Sequence, residues 1–127
     1  MSLKVVKFGG SSLADANQFR KVADIIKSDA DRRFVVPSAP GKRFSDDIKI
    51  TDMLYKCFDL ASNSLDFDKE FDTIKERYNG IIADLGVDIS LEDDFNTIKN
   101  ELKSKPNRDF AASRGEFLNG KILAAFL

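Results

Sequence analysis

The sequence predicts an α/β fold with a parallel sheet, of which this chain carries a β-α-β unit followed by several helices. Three observations predict it. Val5-Val6-Lys7-Phe8 and Phe34-Val35-Val36 are short runs of branched and aromatic residues suited to buried strands. Between them Phe19, Val22, Ala23, Ile26 and Ala30 recur at helical spacing. Strand, helix of about four turns and strand make a right-handed crossover with parallel strands. Beyond it the apolar pattern is helical throughout, and two strands cannot cover so many amphipathic helices. The chain therefore reads as the front part of a larger α/β domain, with further strands expected beyond Leu127 or from a partner chain.

The first strand breaks at Gly9-Gly10, and Ser11-Ser12 follow. Glycines without Cβ atoms are able to take positive φ and admit a ligand close to the backbone amides, while the serines add hydroxyl donors. A helix is expected from Asp15, capped by Ser12 with Asp15 as a capping box or by Asp15 itself, and closing near Asp29 to Asp31. The turn then lies between a strand end and a helix N-terminus, where phosphates are commonly held. Lys7, two residues before Gly9, is placed to carry its ammonium over the turn.

The second strand is closed by Pro37 and leads into Pro37-Ser38-Ala39-Pro40-Gly41. In a parallel sheet both strands end on the same edge, so this turn should lie beside Gly9-Gly10. Lys42 to Lys49 is charged and lacks periodicity, and reads as a loop. Ile50, Met53, Leu54, Cys57, Phe58 and Ala61 mark the next helix, with Cys57 as a packed thiol rather than a reactive one. After Asn63-Ser64, Phe67, Phe71, Ile74, Tyr78, Ile81, Ile82 and Leu85 mark a longer helix stopped by Gly86. Ser90 with Asp93 suggests a capping box for a helix buried through Leu91, Phe95, Ile98 and Leu102 and ended by Pro106. From about Asp109 the last segment is helical. Its end, Ile122-Leu123-Ala124-Ala125-Phe126-Leu127, is apolar all round, which predicts burial on every side.

Bulk properties narrow the function. The 127 residues suit one domain, with no second domain, and carry 20 basic and 21 acidic side chains for a net charge of -1. That balance gives no electrostatic case for nucleic acid or an anionic membrane. No apolar run is long enough to span a bilayer, and Met1-Ser2-Leu3-Lys4 leads into the strand rather than a signal peptide, so a cytoplasmic location is expected. The single cysteine excludes an intrachain disulfide, and the absence of histidine removes histidine-based acid, base or metal chemistry. Lysine, carboxylate, hydroxyl and backbone groups remain, a set on which phosphoryl transfer can run. No residue here is assigned to a metal.

Two apparent nucleotide motifs fail on chemistry. Gly115 to Lys121 satisfies Gly-x-x-x-x-Gly-Lys, but Ile122 stands where a magnesium-binding hydroxyl is needed and no strand precedes it. Gly9-Gly10 is not a dinucleotide fingerprint, because Ser12 stands where a third glycine would fall.

The strings Lys7-Phe8-Gly9-Gly10-Ser11-Ser12, Val35-Val36-Pro37-Ser38-Ala39, Thr51-Asp52 and Ser113-Arg114-Gly115-Glu116, in this order, resemble the aspartokinases of the amino-acid kinase family over essentially the whole chain. The loop between Ser38 and Thr51 departs from that family in length. The resemblance implies a three-layer α/β/α fold, incomplete here, of which residues 1–127 form the N-terminal, substrate-binding part. It implies transfer of the γ-phosphate of ATP, with Mg2+, to the β-carboxylate of L-aspartate. It also implies roles for single residues. Lys7 would neutralise the moving phosphoryl group, Gly9, Gly10 and Ser11 would cradle phosphate oxygens, and Ser38, Thr51 and Glu116 would hold aspartate, the glutamate meeting its ammonium in a partly desolvated pocket. Thr51 equally fits a helix cap. The main nucleotide and metal sites are expected outside this chain, which alone would be a poor catalyst. A sister kinase acting on glutamate, carbamate or a nucleotide monophosphate, and a non-catalytic binding module, are the alternatives; self-association through the apolar C-terminal segment is a further expectation.

Overall fold

A computed structural model describes residues 4–29 and 32–127. Strand β1 (Lys4–Phe8) runs into a 3-10 turn (Gly10–Leu13) and helix α1 (Ala16–Lys27), and β2 (Arg32–Pro37) pairs with β1 in parallel. Helices α2 (Ile50–Ser62), α3 (Asp68–Leu85), α4 (Glu92–Ser104) and α5 (Arg108–Phe126) follow. The expected elements are all present. Ala30 on the face of α1, Asp31 as its end and Met1 to Leu3 lie outside the described residues.

The register sets Val6 beside Val35 and Lys7 beside Val36. Side chains alternate across a strand, so the two faces of the pair differ sharply. Val6, Phe8 and Val35 pack on the core, whereas Val5 and Val36 are 70% and 44% exposed. Lys7 shares that open face.

Each helix forms where its apolar spacing says it should. On α3, Phe71, Ile74, Tyr78 and Ile81 are buried on one face, and the helix stops at Gly86, whose φ of 69° is left-handed. Phe71 meets Phe67 and Phe95 edge-on, each at 6.3 Å between centroids, joining α3 to α4. Removing such a ring costs about 3–5 kcal/mol, so Phe71→Ala is a change that would break this junction. Cys57 is fully buried on α2, as expected, and burial pushes its thiol up to about 12.

Several local expectations need correction. Asp15, not Ser12, caps α1, its carboxylate accepting from the Gln18 amide at 3.0 Å. α1 closes at Lys27, where the Ser28 hydroxyl turns back to the Ile25 carbonyl at 2.6 Å. The residue at the N-cap of α2 is Lys49, whose side chain makes no cap bond, so Thr51 lies inside the first turn rather than capping it. Ser90 stands one position before the cap of α4 and accepts from Glu92 N, so it does not form the expected box with Asp93. The end of α5 is buried on one side only: Ile122 and Leu123 are covered, while Ala124, Ala125 and Leu127 are exposed. The core takes the two large side chains and leaves the small alanines outside.

Candidate functional site

The turns after β1 and β2 meet. Ser38 N donates to Phe8 O at 3.1 Å, and Gly41 N donates to Gly10 O at 2.8 Å. This contact explains two glycines. A Cβ on Gly41 would stand 2.6 Å from Gly10 C and 2.8 Å from Ser11 N, and one on Gly10 would stand 3.0 Å from Ala39 O. The backbones touch where any side chain would separate them. Neither Gly9 nor Gly10 uses the positive φ anticipated for it. Gly9 is extended at φ -75° and Gly10 enters the 3-10 turn, so glycine is needed at position 10 for close approach, not for handedness.

A cavity of about 590 Å3 opens beside this contact. Gly10 and Ser11 line it from the first turn, Ser38 to Lys42 from the second, Lys49, Thr51 and Asp52 from the entrance of α2, and Glu116 from α5. Five residues singled out in the sequence, Gly10, Ser11, Ser38, Thr51 and Glu116, thus share one cavity. Lys7 and Gly9 are not among its lining residues; Lys7 is exposed on the open sheet face. The geometry of a 3-10 turn leaves the Gly10 and Ser11 amides without intrahelical acceptors. Asp15 already occupies the N-terminus of α1, which leaves the free amides of this region on the 3-10 turn rather than on that helix.

Glu116 reaches the cavity because of Gly115. A Cβ there would lie 2.8 Å from the Ala39 Cβ and 3.2 Å from Leu54 Cδ1, so glycine lets α5 press against the second turn and α2. The glutamate itself is exposed at the cavity wall rather than in the partly desolvated setting expected of it, while Gly115 is buried. Asn119, one turn further, is fully buried and donates through Nδ2 to Ser38 O at 2.7 Å. It fixes the backbone that carries the Ser38 hydroxyl.

The Lys42 to Lys49 loop is folded, although it lacks helix or strand. Asp47, with a side chain only 7% exposed, accepts from Arg43 Nε at 2.6 Å, Nη2 at 3.0 Å and the Arg43 amide at 3.0 Å. These bonds, and the nearby Arg77, hold its carboxyl well below the usual carboxylate range. Arg77 on α3 is itself buried and donates to Ile48 O at 2.9 Å and Ala14 O at 3.1 Å, and also to Gly41 O. Burial pulls its guanidinium below the ordinary arginine value, opposed by the charge of Asp47. Tyr78 OH donates to Gly115 O at 2.8 Å. None of Asn119, Asp47, Arg77 and Tyr78 was singled out in the sequence as a site residue. A polar Asn119 on the same helical stripe as Ile122, and a charge beside Tyr78 on the buried face of α3, were the available signals.

The wall combines two ammonium groups, Lys42 and Lys49, two carboxylates, Asp52 and Glu116, and the hydroxyls of Ser11, Ser38 and Thr51. With bare amides at a glycine turn on the edge of parallel strands, this defines an α/β protein whose cavity presents groups of both charges. The chain belongs to the amino acid kinase family, whose model matches residues 2–127. It is 40% identical over 132 residues to aspartokinase 3 of Bacillus subtilis, covering 98% of this chain and 29% of that protein. The crystal structure of Clostridium acetobutylicum aspartate kinase superposes with a TM-score of 0.96 at 48% identity, covering all of this chain and 29% of that one. E. coli aspartokinase III, solved with aspartate and ADP, shares the fold at a TM-score of 0.72 and 21% identity. The chain spans under a third of the length of these relatives.

Proposed function

We propose that this chain is the N-terminal, substrate-binding part of an aspartate kinase, which moves the γ-phosphoryl group of ATP to the β-carboxylate of L-aspartate. The observation that carries this reading is that Ser38, Thr51 and Glu116 line one cavity with the Gly10-Ser11 turn. The two relatives of 40% and 48% identity are aspartokinases, which supports it.

L-Aspartate carries two carboxylates and one ammonium. Glu116 meets the ammonium, the Ser38 and Thr51 hydroxyls donate to carboxylate oxygens, and the Lys42 and Lys49 ammoniums balance the remaining negative charge. In the transfer, a β-carboxylate oxygen bonds to the γ-phosphorus as the bond from that phosphorus to the bridging oxygen breaks, and ADP leaves with the electron pair. Positioning and charge neutralisation are the protein's share. The amides of Gly9 and Gly10 with the Ser11 hydroxyl receive phosphate oxygens, and Lys7, on the last turn-side residues of β1, offsets the charge that develops.

Among the described residues no group of three or more His, Cys, Asp or Glu side chains stands together. The metal and the nucleotide base belong to other segments in this reading, and residues 1–127 alone turn over poorly or not at all. No helix among the described residues is long and apolar enough to cross a membrane. Self-association through the exposed end of α5 is part of the same proposal, and a clean monomer in sedimentation velocity refutes it.

The test is ADP release by the full-length protein, coupled to an optical readout, with L-aspartate against L-glutamate. Turnover that depends on aspartate and collapses in Lys7→Ala supports the reading. Equal turnover with glutamate, or an unaffected Lys7→Ala, refutes it.

A further inference from the structure

We infer that the consecutive residues Arg77 and Tyr78 of α3 are positioning residues that set the two walls of the cavity against each other. The inference rests on the substrate reading above for its kinetic consequence but not for its geometry.

Arg77 gathers three carbonyls from segments far apart in the chain: Ala14 beyond the first turn, Gly41 within the second, and Ile48 at the end of the charged loop. Gly41 is the residue whose amide donates to Gly10 O. The guanidinium therefore holds the partner of that contact by its carbonyl, and Asp47, 3.8 Å from Nη1, ties the same loop to it. A guanidinium presents five donors in a fixed planar fork, which an ammonium on a flexible stem does not reproduce.

Tyr78 does the corresponding work on the opposite wall. Its hydroxyl, fully buried, donates to the carbonyl of Gly115, the residue that lets α5 approach and that precedes Glu116. One helix thus holds the glycine turns through one side chain and the glutamate through the next. Neither side chain lines the cavity, so both act through the backbone.

The test uses the full-length protein with Arg77→Lys and Tyr78→Phe, each checked for a cooperative melt. In Arg77→Lys the Gly41 amide should exchange with solvent at least about tenfold faster, and KM for L-aspartate should rise by about tenfold to a hundredfold. Tyr78→Phe removes one oxygen and keeps the ring. It should lower the preference for L-aspartate over succinate, which lacks the ammonium, by about tenfold, leaving succinate inhibition unchanged. A merely structural role would lower the melting temperature without moving that preference.

Unchanged Gly41 exchange in Arg77→Lys overturns the bracing, and faster exchange with an unchanged KM overturns its bearing on the site. Should Arg77→Lys not fold, Tyr78→Phe decides alone, an unchanged preference overturning the inference. If the wild-type protein does not use aspartate, the function reading has failed, and the exchange measurement, which needs no substrate, still tests the bracing.

Discussion

Gly41→Ala should disable the site while leaving most of the fold intact. The added Cβ would lie 2.6 Å from Gly10 C, 2.8 Å from Ser11 N and 2.9 Å from Gly10 O. Carbon contacts are comfortable at about 3.5 Å, so the two turns must part by roughly 0.9 Å. All three atoms are backbone, and no side-chain rotation relieves the clash. The separation stretches the 2.8 Å bond from Gly41 N to Gly10 O. Overpacking and the weakened bond together should cost about 2–4 kcal/mol of stability. If the proposed function holds, a displacement near 1 Å at the Gly10 and Ser11 amides should also lower aspartate-dependent turnover by about a hundredfold. Thermal melting and steady-state kinetics on the full-length protein measure the two effects separately. Gly9→Ala is the control, because a Cβ there meets nothing within 4 Å and its backbone is extended. It should melt like the wild type. Gly41→Ala with an unchanged melt and unchanged turnover would refute the claim that the two turns are held in contact by glycine.

Three further outcomes are expected. Gly115→Ala forces a Cβ to within 2.8 Å of the Ala39 Cβ, so α5 should shift, costing about 1–3 kcal/mol and raising KM for aspartate; unchanged values of both would contradict the packing. Asp47→Asn should destabilise the protein at neutral pH, with a pH signature. The folded-state carboxyl lies below its unfolded value, so its contribution is full above about pH 4–5 and fades as pH falls toward the lower folded value. Denaturation midpoints of the wild type and Asp47→Asn should converge in acid, and a gap that stays constant with pH would count against the ion pair. Cys57, buried and pushed up to about 12, should resist thiol reagents at pH 8 until the protein unfolds; rapid labelling of the native protein would refute its packing.

The elements were legible in the sequence because each announces itself locally. Val5-Val6 and Val35-Val36 are compact branched runs, a 3.6-residue period marks the helices that follow, and Gly86 and Pro106 punctuate helices. Ser38 could be placed near Gly10 because parallel strands bring their ends to one edge. Caps were less legible. Thr51 is a good capping residue by type, but the chain enters α2 from Lys49, and that entry angle is decided by Pro40 O accepting from Ile50 N at 3.2 Å. The braces were hidden for a different reason. Arg77 finds the Gly41 carbonyl 36 residues away and the Ala14 carbonyl 63 residues away, and no local pattern records such partners. The apolar end of α5 misled because composition counts alanine with leucine, whereas the fold buries Ile122 and Leu123 and leaves Ala124 and Ala125 outside.

In the proposed function the cavity between the two turns and α5 holds L-aspartate by its ammonium and carboxylates together. The most direct measurement is the affinity of the full-length protein for L-aspartate and for succinate, by calorimetry, before and after Glu116→Gln. Aspartate binding should weaken by about tenfold to a hundredfold while succinate binding changes little. Equal loss for both ligands, or no loss for aspartate, would contradict it.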